Sequence, residues 1–119
     1  MKYIQKTGEI FDIKGNLLGT GYSGHGIGKN NPEMQDVKNV GPIPKGRYQI
    51  GEKYDSKHTG PFTIILIPDP KNNMFGRSGF RIHGDSIVAP GTASEGCIIL
   101  SRNIREIIYK SKDKYILVV

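Results

Sequence analysis

One cysteine, no tryptophan and no long apolar run are the first features of this 119-residue sequence. A single cysteine cannot form a disulfide within the chain, so the fold does not depend on an oxidising compartment. The longest apolar stretches, such as Ile64–Ile67, fall far short of the roughly 20 residues that a transmembrane helix needs. We therefore expect no membrane insertion and no disulfide framework.

The N-terminal stretch MKYIQKTGEIF also lacks the apolar segment and the small-residue cleavage site of a signal peptide. We expect synthesis in the cytoplasm without such a signal. Acidic residues are the scarcer charge, 11 against 17 basic ones, which gives a net charge of +6. A basic surface favours anionic partners. The basic side chains are scattered instead of forming a run with aromatic residues, which argues against nucleic acid as the partner.

Glycine and proline are abundant, with 16 and 7 residues. This composition favours short strands and many turns over a helical bundle. The length predicts one domain over residues 1–119. We expect a mainly β fold, a small β-sandwich or open barrel, with one short helix after the strand that follows Cys97.

The apolar pattern places the elements of this fold. Residues 2–23 alternate as in a β-meander, and residues 23–44 are loop-like. Phe62–Ile67 is an apolar strand bounded by prolines, expected near the centre of the sheet. Ser101 is a candidate N-cap for a helix whose apolar stripe is formed by Ile104, Ile107 and Ile108.

The chemistry-bearing residues are concentrated in residues 80–100, which contain Cys97 and one of the three histidines, His83. Phe80–Ile82 and Ile98–Leu100 both read as strands, and a pair of adjacent strands would bring imidazole and thiol together. An imidazole can take the proton of a thiol or stabilise its thiolate, which would make Cys97 a nucleophile. Spacing alone favours another interpretation, a small buried cysteine and a surface histidine, since lone cysteines are usually inert.

Neighbouring residues could support such a site. The main-chain amides of Gly96 and Cys97 could stabilise an oxyanion, and Ser94 could fix the loop or bind substrate. Asp85, or a backbone carbonyl near Gly84, could orient the ring of His83. Further supporting or substrate-binding candidates are Arg81, Tyr22 and Ser23.

Two sets of residues resemble known families. His83-Gly84 followed by Ser94-Glu95-Gly96-Cys97 is similar to the HG…SxGC pattern of YkuD-type L,D-transpeptidases. The segments Tyr22–Gly24, Asn30–Pro32 and Gly41–Tyr48 resemble a narrower branch, the small-domain type VI secretion L,D-carboxypeptidase/transpeptidase effectors. The resemblance extends from about residue 8 to residue 100. One departure is that YkuD-type enzymes commonly have arginine two residues after the cysteine, where this chain has Ile99. Arg77, Arg81 or Arg102 would have to replace it.

The resemblance implies a cysteine acyl-transfer enzyme that acts on peptidoglycan stem tetrapeptides, as an L,D-carboxypeptidase or an L,D-transpeptidase with D-amino-acid exchange. It implies Cys97 as nucleophile, His83 as proton carrier, no metal and no cofactor. It also implies a monomeric antibacterial effector that acts in the periplasm after delivery by a secretion system or by lysis, with a cognate immunity protein as a further partner.

Two alternatives remain. One is a zinc site built from His83, Asp85 and Cys97, although their spacing matches no common zinc motif. The other is a non-catalytic cell-wall-binding module that keeps the fold while the thiol is silent, an interpretation that the absence of arginine at position 99 favours.

Overall fold

The computed structural model describes all 119 residues. It contains nine strands, one α-helix and two short 3₁₀ turns at Gly26–Gly28 and Pro32–Met34. The strands are β1 (Lys2–Tyr3), β2 (Glu9–Phe11), β3 (Leu17–Thr20), β4 (Tyr22–Ser23), β5 (Gly46–Ser56), β6 (Gly60–Pro68), β7 (Arg81–His83), β8 (Ile98–Ile99) and β9 (Tyr115–Val118), and the helix is α1 (Arg102–Lys110). The predicted mainly β fold with one short helix is confirmed.

All nine strands belong to one sheet, in the order β3-β2-β1-β9-β5-β6-β7-β8-β4. If the sheet were flat, its outer strands would lie about 38 Å apart, at about 4.8 Å per strand. The two outer strands are β3 and β4, however, and only Gly21 separates them in the chain. The sheet therefore curls until its two edges meet, as in an open barrel.

Gly21 marks the place where the edges meet. Its N–H donates to the Gly8 carbonyl at 2.8 Å, on the β2 side of the seam. A side chain at Gly21 would place its Cβ only 1.7 Å from the Ile99 carbonyl oxygen, on the β8 side. Because backbone approaches from both sides, only glycine fits at this position.

The longest pairing in the sheet is the antiparallel β5–β6 hairpin. The sequence predicts a strand only over residues 47–50, followed by a polar loop from residue 54, but β5 continues to Ser56. β6 has β5 and β7 as neighbours, near the middle of the sheet as expected. Alternating side chains of the hairpin enter a core that is rich in isoleucine; its fully buried members include Tyr3, Ile10, Ile43, Tyr48, Ile64, Ile82, Ile98, Ile108 and Ile116.

The helix begins where the sequence indicates. The Ser101 hydroxyl accepts a hydrogen bond from the Ile104 N–H at 3.4 Å and so caps α1. Ile108 packs into the core, while Ile107 on the far side is exposed. No helix in the structure has the length and apolar character needed to cross a membrane.

Candidate active site

The strands β7 and β8 lie side by side and run parallel, with Ile82 opposite Ile98 and His83 opposite Ile99. His83 is therefore the last residue of β7, while Cys97 directly precedes β8. One step back along the same register, Cys97 lies beside Arg81. The two strands predicted to be adjacent are adjacent, and Cys97 and His83 lie two register positions apart on them.

The imidazole of His83 is buried and has a defined partner. Its Nδ1 lies 2.9 Å from the Gly84 carbonyl oxygen. A carbonyl oxygen can only accept, so Nδ1 carries the proton and Nε2 keeps a free lone pair. Burial lowers the pKa of His83, the bond to Gly84 opposes this effect, and the Arg105 charge reinforces it. The ring is thus held neutral, with Nε2 ready to accept a proton.

The Cys97 thiol is half-buried and is not hydrogen-bonded to the imidazole. Its contact is with the Gly79 carbonyl oxygen, at 4.0 Å. The two side chains also face different openings. Cys97 lines a cleft of 170 Å³ between residues 76–80 and 95–97, whereas His83 lines a separate groove of 960 Å³.

Burial raises the pKa of the Cys97 thiol. A hydrogen bond from the Arg81 amide and the charges of Arg81 and Arg77 offset this effect only in part, and Glu95 adds to it. In the free protein, therefore, the pair consists of a neutral thiol and a neutral imidazole. The residue types alone leave open whether the histidine would stabilise a thiolate or take the proton; with both side chains neutral, there is no thiolate to stabilise and Nε2 can accept a proton.

Alkylation of Cys97 by iodoacetamide should therefore be slow at pH 7 and should accelerate with a midpoint above that of an unperturbed cysteine thiol, because only the thiolate reacts and burial raises the pKa of this thiol. Since Cys97 is the only cysteine, intact-protein mass spectrometry follows this one site. N-acetylcysteine provides the unperturbed reference. A rate that is already at its plateau at pH 7 would mean that the free protein holds a thiolate.

The loop before Cys97 is fixed by two buried serines. Ser94 Oγ accepts from the N–H groups of Gly24, at 2.9 Å, and Gly96, at 3.1 Å, and donates to the Cys97 carbonyl at 2.6 Å. Ser23 Oγ donates to the Gly96 carbonyl at 2.8 Å. Both hydroxyls are fully buried, so they fix the loop and do not face a substrate.

These bonds correct one expectation for the oxyanion site. The N–H of Gly96 already donates to Ser94, so it is not available to an oxyanion in this structure. The N–H of Cys97 has no hydrogen-bond acceptor in the protein and remains available. Gly96 is required for another reason: its φ is +138°, and a Cβ there would lie 2.5 Å from Nη2 of Arg77.

Tyr22 and Asp85 form a second network, along the groove. The Tyr22 hydroxyl donates to Asp85 Oδ1 at 2.5 Å and accepts from the Ala93 N–H at 3.0 Å. Both carboxylate oxygens of Asp85 also accept from the Gly91 N–H at 3.1 Å. Partial burial acts to raise the pKa of Asp85, but the bonds from Tyr22 and from main-chain amides hold it below its usual value. Asp85 therefore organises the loop over residues 85–93, and the Gly84 carbonyl is what holds His83.

Of the three arginines considered as replacements for the missing one at position 99, Arg77 and Arg81 are engaged elsewhere, while Arg102 lines the groove as an exposed residue. Arg77 is buried and donates to four main-chain carbonyls, those of Gln35, Gly41, Pro42 and Glu95, at 2.6–3.2 Å. Arg81 donates to the Tyr54 hydroxyl at 2.7 Å and to the Phe80 carbonyl. Arg102 is exposed, with Nε 3.5 Å from a carboxylate oxygen of Glu106. None of the three has a buried, unused donor facing the groove beside His83.

The sequence analysis missed Arg105. This helix residue is 6 % exposed and lines the groove beside His83 and Gly84. A charged residue within a helix is normally read as solvent-facing, which is why Arg105 was not selected. The available signal was its spacing from Ile108, three residues away on the buried side of α1.

No three side chains among the histidines, cysteine, aspartates and glutamates are grouped so that they could hold a metal ion. Asp85, in particular, is turned toward Tyr22 and Gly91. The residues named for the zinc alternative are therefore not assembled into a site.

Comparison with known proteins gives one match. The family model described as the Tlde1 domain matches residues 19–116. The matched range covers most of the chain and contains β7, β8, His83 and Cys97. Neither a curated protein nor a solved structure matches the chain.

Proposed function

The chain belongs to the Tlde1 domain family, a family of type VI secretion effector domains, and from this membership we propose that it is a peptidoglycan-modifying cysteine acyl-transfer enzyme. Its substrate is the stem tetrapeptide, and its chemistry is that of the YkuD-type L,D-transpeptidases. It acts in the periplasm of a target bacterium as an antibacterial toxin, and a cognate immunity protein in the producing cell blocks it.

The observation that carries the proposal is the parallel pairing of β7 and β8, which puts His83 at the end of one strand and Cys97 directly before the neighbouring one. His83 is buried, its Nδ1 is bonded to the Gly84 carbonyl, and its Nε2 is free to accept a proton. Ser94 and Ser23 fix the loop that carries the thiol. Of these features, the imidazole with a free Nε2 is the one that favours an enzyme over a silent binding module.

In the proposed reaction, the Cys97 sulfur attacks the carbonyl carbon of the amide that joins the L-centre of diaminopimelate to the terminal D-alanine. With the Cys97 side chain turned from the Gly79 carbonyl toward the imidazole, the thiol proton passes to Nε2 of His83 and then to the departing nitrogen, so D-alanine leaves and a thioester remains on Cys97. The free N–H of Cys97 is available to the oxyanion. Water, a D-amino acid or a second stem peptide then resolves the thioester by hydrolysis, exchange or cross-linking.

The charge of the larger groove suits an acidic peptide. Lys57, Arg102 and Arg105 line it, and Asp85 is its only acidic side chain. Stem peptides carry several carboxylates, which these cations would attract. The groove therefore favours the stem peptide over a neutral amide substrate.

The experiment incubates the protein with purified disaccharide tetrapeptide, with and without an added D-amino acid, and identifies the products by mass spectrometry. Protein alkylated at its only cysteine is the control. We expect loss of the terminal D-alanine, or its replacement, with the free thiol alone. If no product forms while a control L,D-carboxypeptidase acts on the same substrate, the cell-wall-binding module becomes the better explanation.

A further inference from the structure

Arg105 has a donor that the protein does not use. Its Nη1 donates to the carbonyls of Pro61 and Phe62, each at 3.1 Å, and Nε reaches the Ser101 carbonyl at 3.4 Å. Nη2 has no acceptor. The only buried side-chain nitrogen or oxygen atoms without a hydrogen-bond partner are the Tyr3 hydroxyl and Gln5 Oε1. Because Nη2 of Arg105 also has no partner and is not one of these atoms, it is accessible to solvent. Because Arg105 lines the groove, this donor is directed to the groove.

The guanidinium also lacks a counter-charge. Its three observed acceptors are neutral carbonyl oxygens. Glu106, its neighbour in sequence, pairs with Arg102, and Asp85 is engaged by Tyr22. Burial of an unpaired charge is costly, and evolution usually retains such a group where a ligand supplies the opposite charge. A fixed cation with an open N–H edge fits a carboxylate.

The position of this edge indicates which carboxylate it fits. A Cβ built on Gly84 would lie 3.0 Å from Nη2 of Arg105, and the carbonyl of the same residue holds Nδ1 of His83 at 2.9 Å. Gly84 therefore separates the guanidinium from the imidazole. In the proposed reaction, His83 delivers its proton to the departing nitrogen. In a D-amino acid, the carboxylate is attached to the carbon that also bears this nitrogen.

We propose that Arg105 binds the terminal carboxylate of the departing D-amino acid and thereby makes the enzyme specific for peptides with a free C-terminus. The inference rests on the proposed function. It assigns to a residue of α1 the carboxylate contact that Ile99 cannot make. It is also consistent with glycine at position 84, because a side chain there would crowd Nη2 of Arg105. The same contact would hold an incoming D-amino acid, because exchange is the reverse of departure.

The test measures peptide binding by a variant that lacks the thiol, so that its result does not depend on enzymatic turnover. Cys97→Ala protein is titrated by calorimetry with the tetrapeptide and with its C-terminal amide, which differ only at this carboxylate. We expect the free acid to bind about 10- to 150-fold more tightly, the range for a charge-assisted hydrogen bond. Adding Arg105→Met should abolish this preference, and adding Arg105→Lys should restore part of it.

Lys110→Met in the same background is the matched control, because it removes one positive charge from the exposed end of α1, outside the groove. If Arg105→Met does not fold, Gly84→Ala provides the second variant: its methyl group would crowd Nη2 and should reduce the preference. Equal binding of acid and amide by the Cys97→Ala protein, or a preference that persists in Arg105→Met, would overturn the inference even if wild-type protein turns over the tetrapeptide. If the free acid binds more tightly than the amide, this preference depends on Arg105, and the wild-type protein does not turn over the tetrapeptide, then the carboxylate site stands and the proposed reaction is wrong.

Discussion

Alanine at Cys97 should abolish product formation, and alanine at His83 should lower kcat/KM for the stem tetrapeptide by between about 10² and 10⁴, the usual contribution of a general acid–base group. Asparagine at Asp85 should lower it by less than about tenfold. The difference follows from the hydrogen bonds: Asp85 accepts from Tyr22 and Gly91, whereas His83 is held by the Gly84 carbonyl. Product release from the tetrapeptide, followed by chromatography, measures all three variants.

Asp85→Asn is a suitable comparison because the amide oxygen of asparagine can still accept from the Tyr22 hydroxyl, so the loop stays in place while the charge disappears. A loss as large as that of His83→Ala would mean that the carboxylate acts on the imidazole, contrary to the geometry. Full activity of His83→Ala would remove the histidine from the mechanism.

Methionine at Arg77 should destabilise the protein by about 2–6 kcal/mol, because two buried carbonyls lose their donor and each unsatisfied group costs about 1–3 kcal/mol. The guanidinium donates to four carbonyls, and those of Gly41 and Pro42 receive buried bonds that water cannot readily replace. Its bond to the Glu95 carbonyl also connects the loop over residues 35–42 to the residues just before Cys97. Urea denaturation gives the change in the free energy of unfolding.

Lys71→Met is the matched control for Arg77→Met. Lys71 belongs to the same turn-rich segment, is exposed, and makes no hydrogen bond or ion pair through its side chain. Its replacement should change stability by less than about 0.5 kcal/mol. Equal effects of the two substitutions would show that Arg77 contributes through net charge alone.

Much of the fold follows from local pattern. Alternation identified the first strands, and a serine before an amphipathic stretch identified the start of α1, because both signals depend on residues close in sequence. The extension of β5 to Ser56 was missed, since its polar residues 52–55 become strand only by pairing with β6. A pattern of neighbouring residues does not show which separate segments of the chain pair with each other.

In the candidate site, too, the residues of a local motif could be predicted, and those that depend on distant contacts could not. The Cys97–His83 pair could be predicted from motif and spacing, and the structure has these residues on or beside neighbouring strands, β7 and β8. The roles of Arg77 and Arg105 could not be recognised, because each depends on carbonyls far away in the chain: Arg77 reaches Gln35, and Arg105 reaches Pro61. That imidazole and thiol face separate openings is likewise a property of the assembled sheet.

The position of β9 has a consequence for how the chain folds. This strand pairs with β1 on one side and β5 on the other, so the first three strands, β1 to β3, pair with the rest of the sheet only through residues that come after every other strand. The contact between β1 and β9 closes a loop of nearly the whole chain, and such non-local closure makes folding slow. Until β9 is in place, β1 and β5 expose unpaired edges. Folding of the sheet should therefore be a single cooperative event, and refolding kinetics should show no stable N-terminal intermediate.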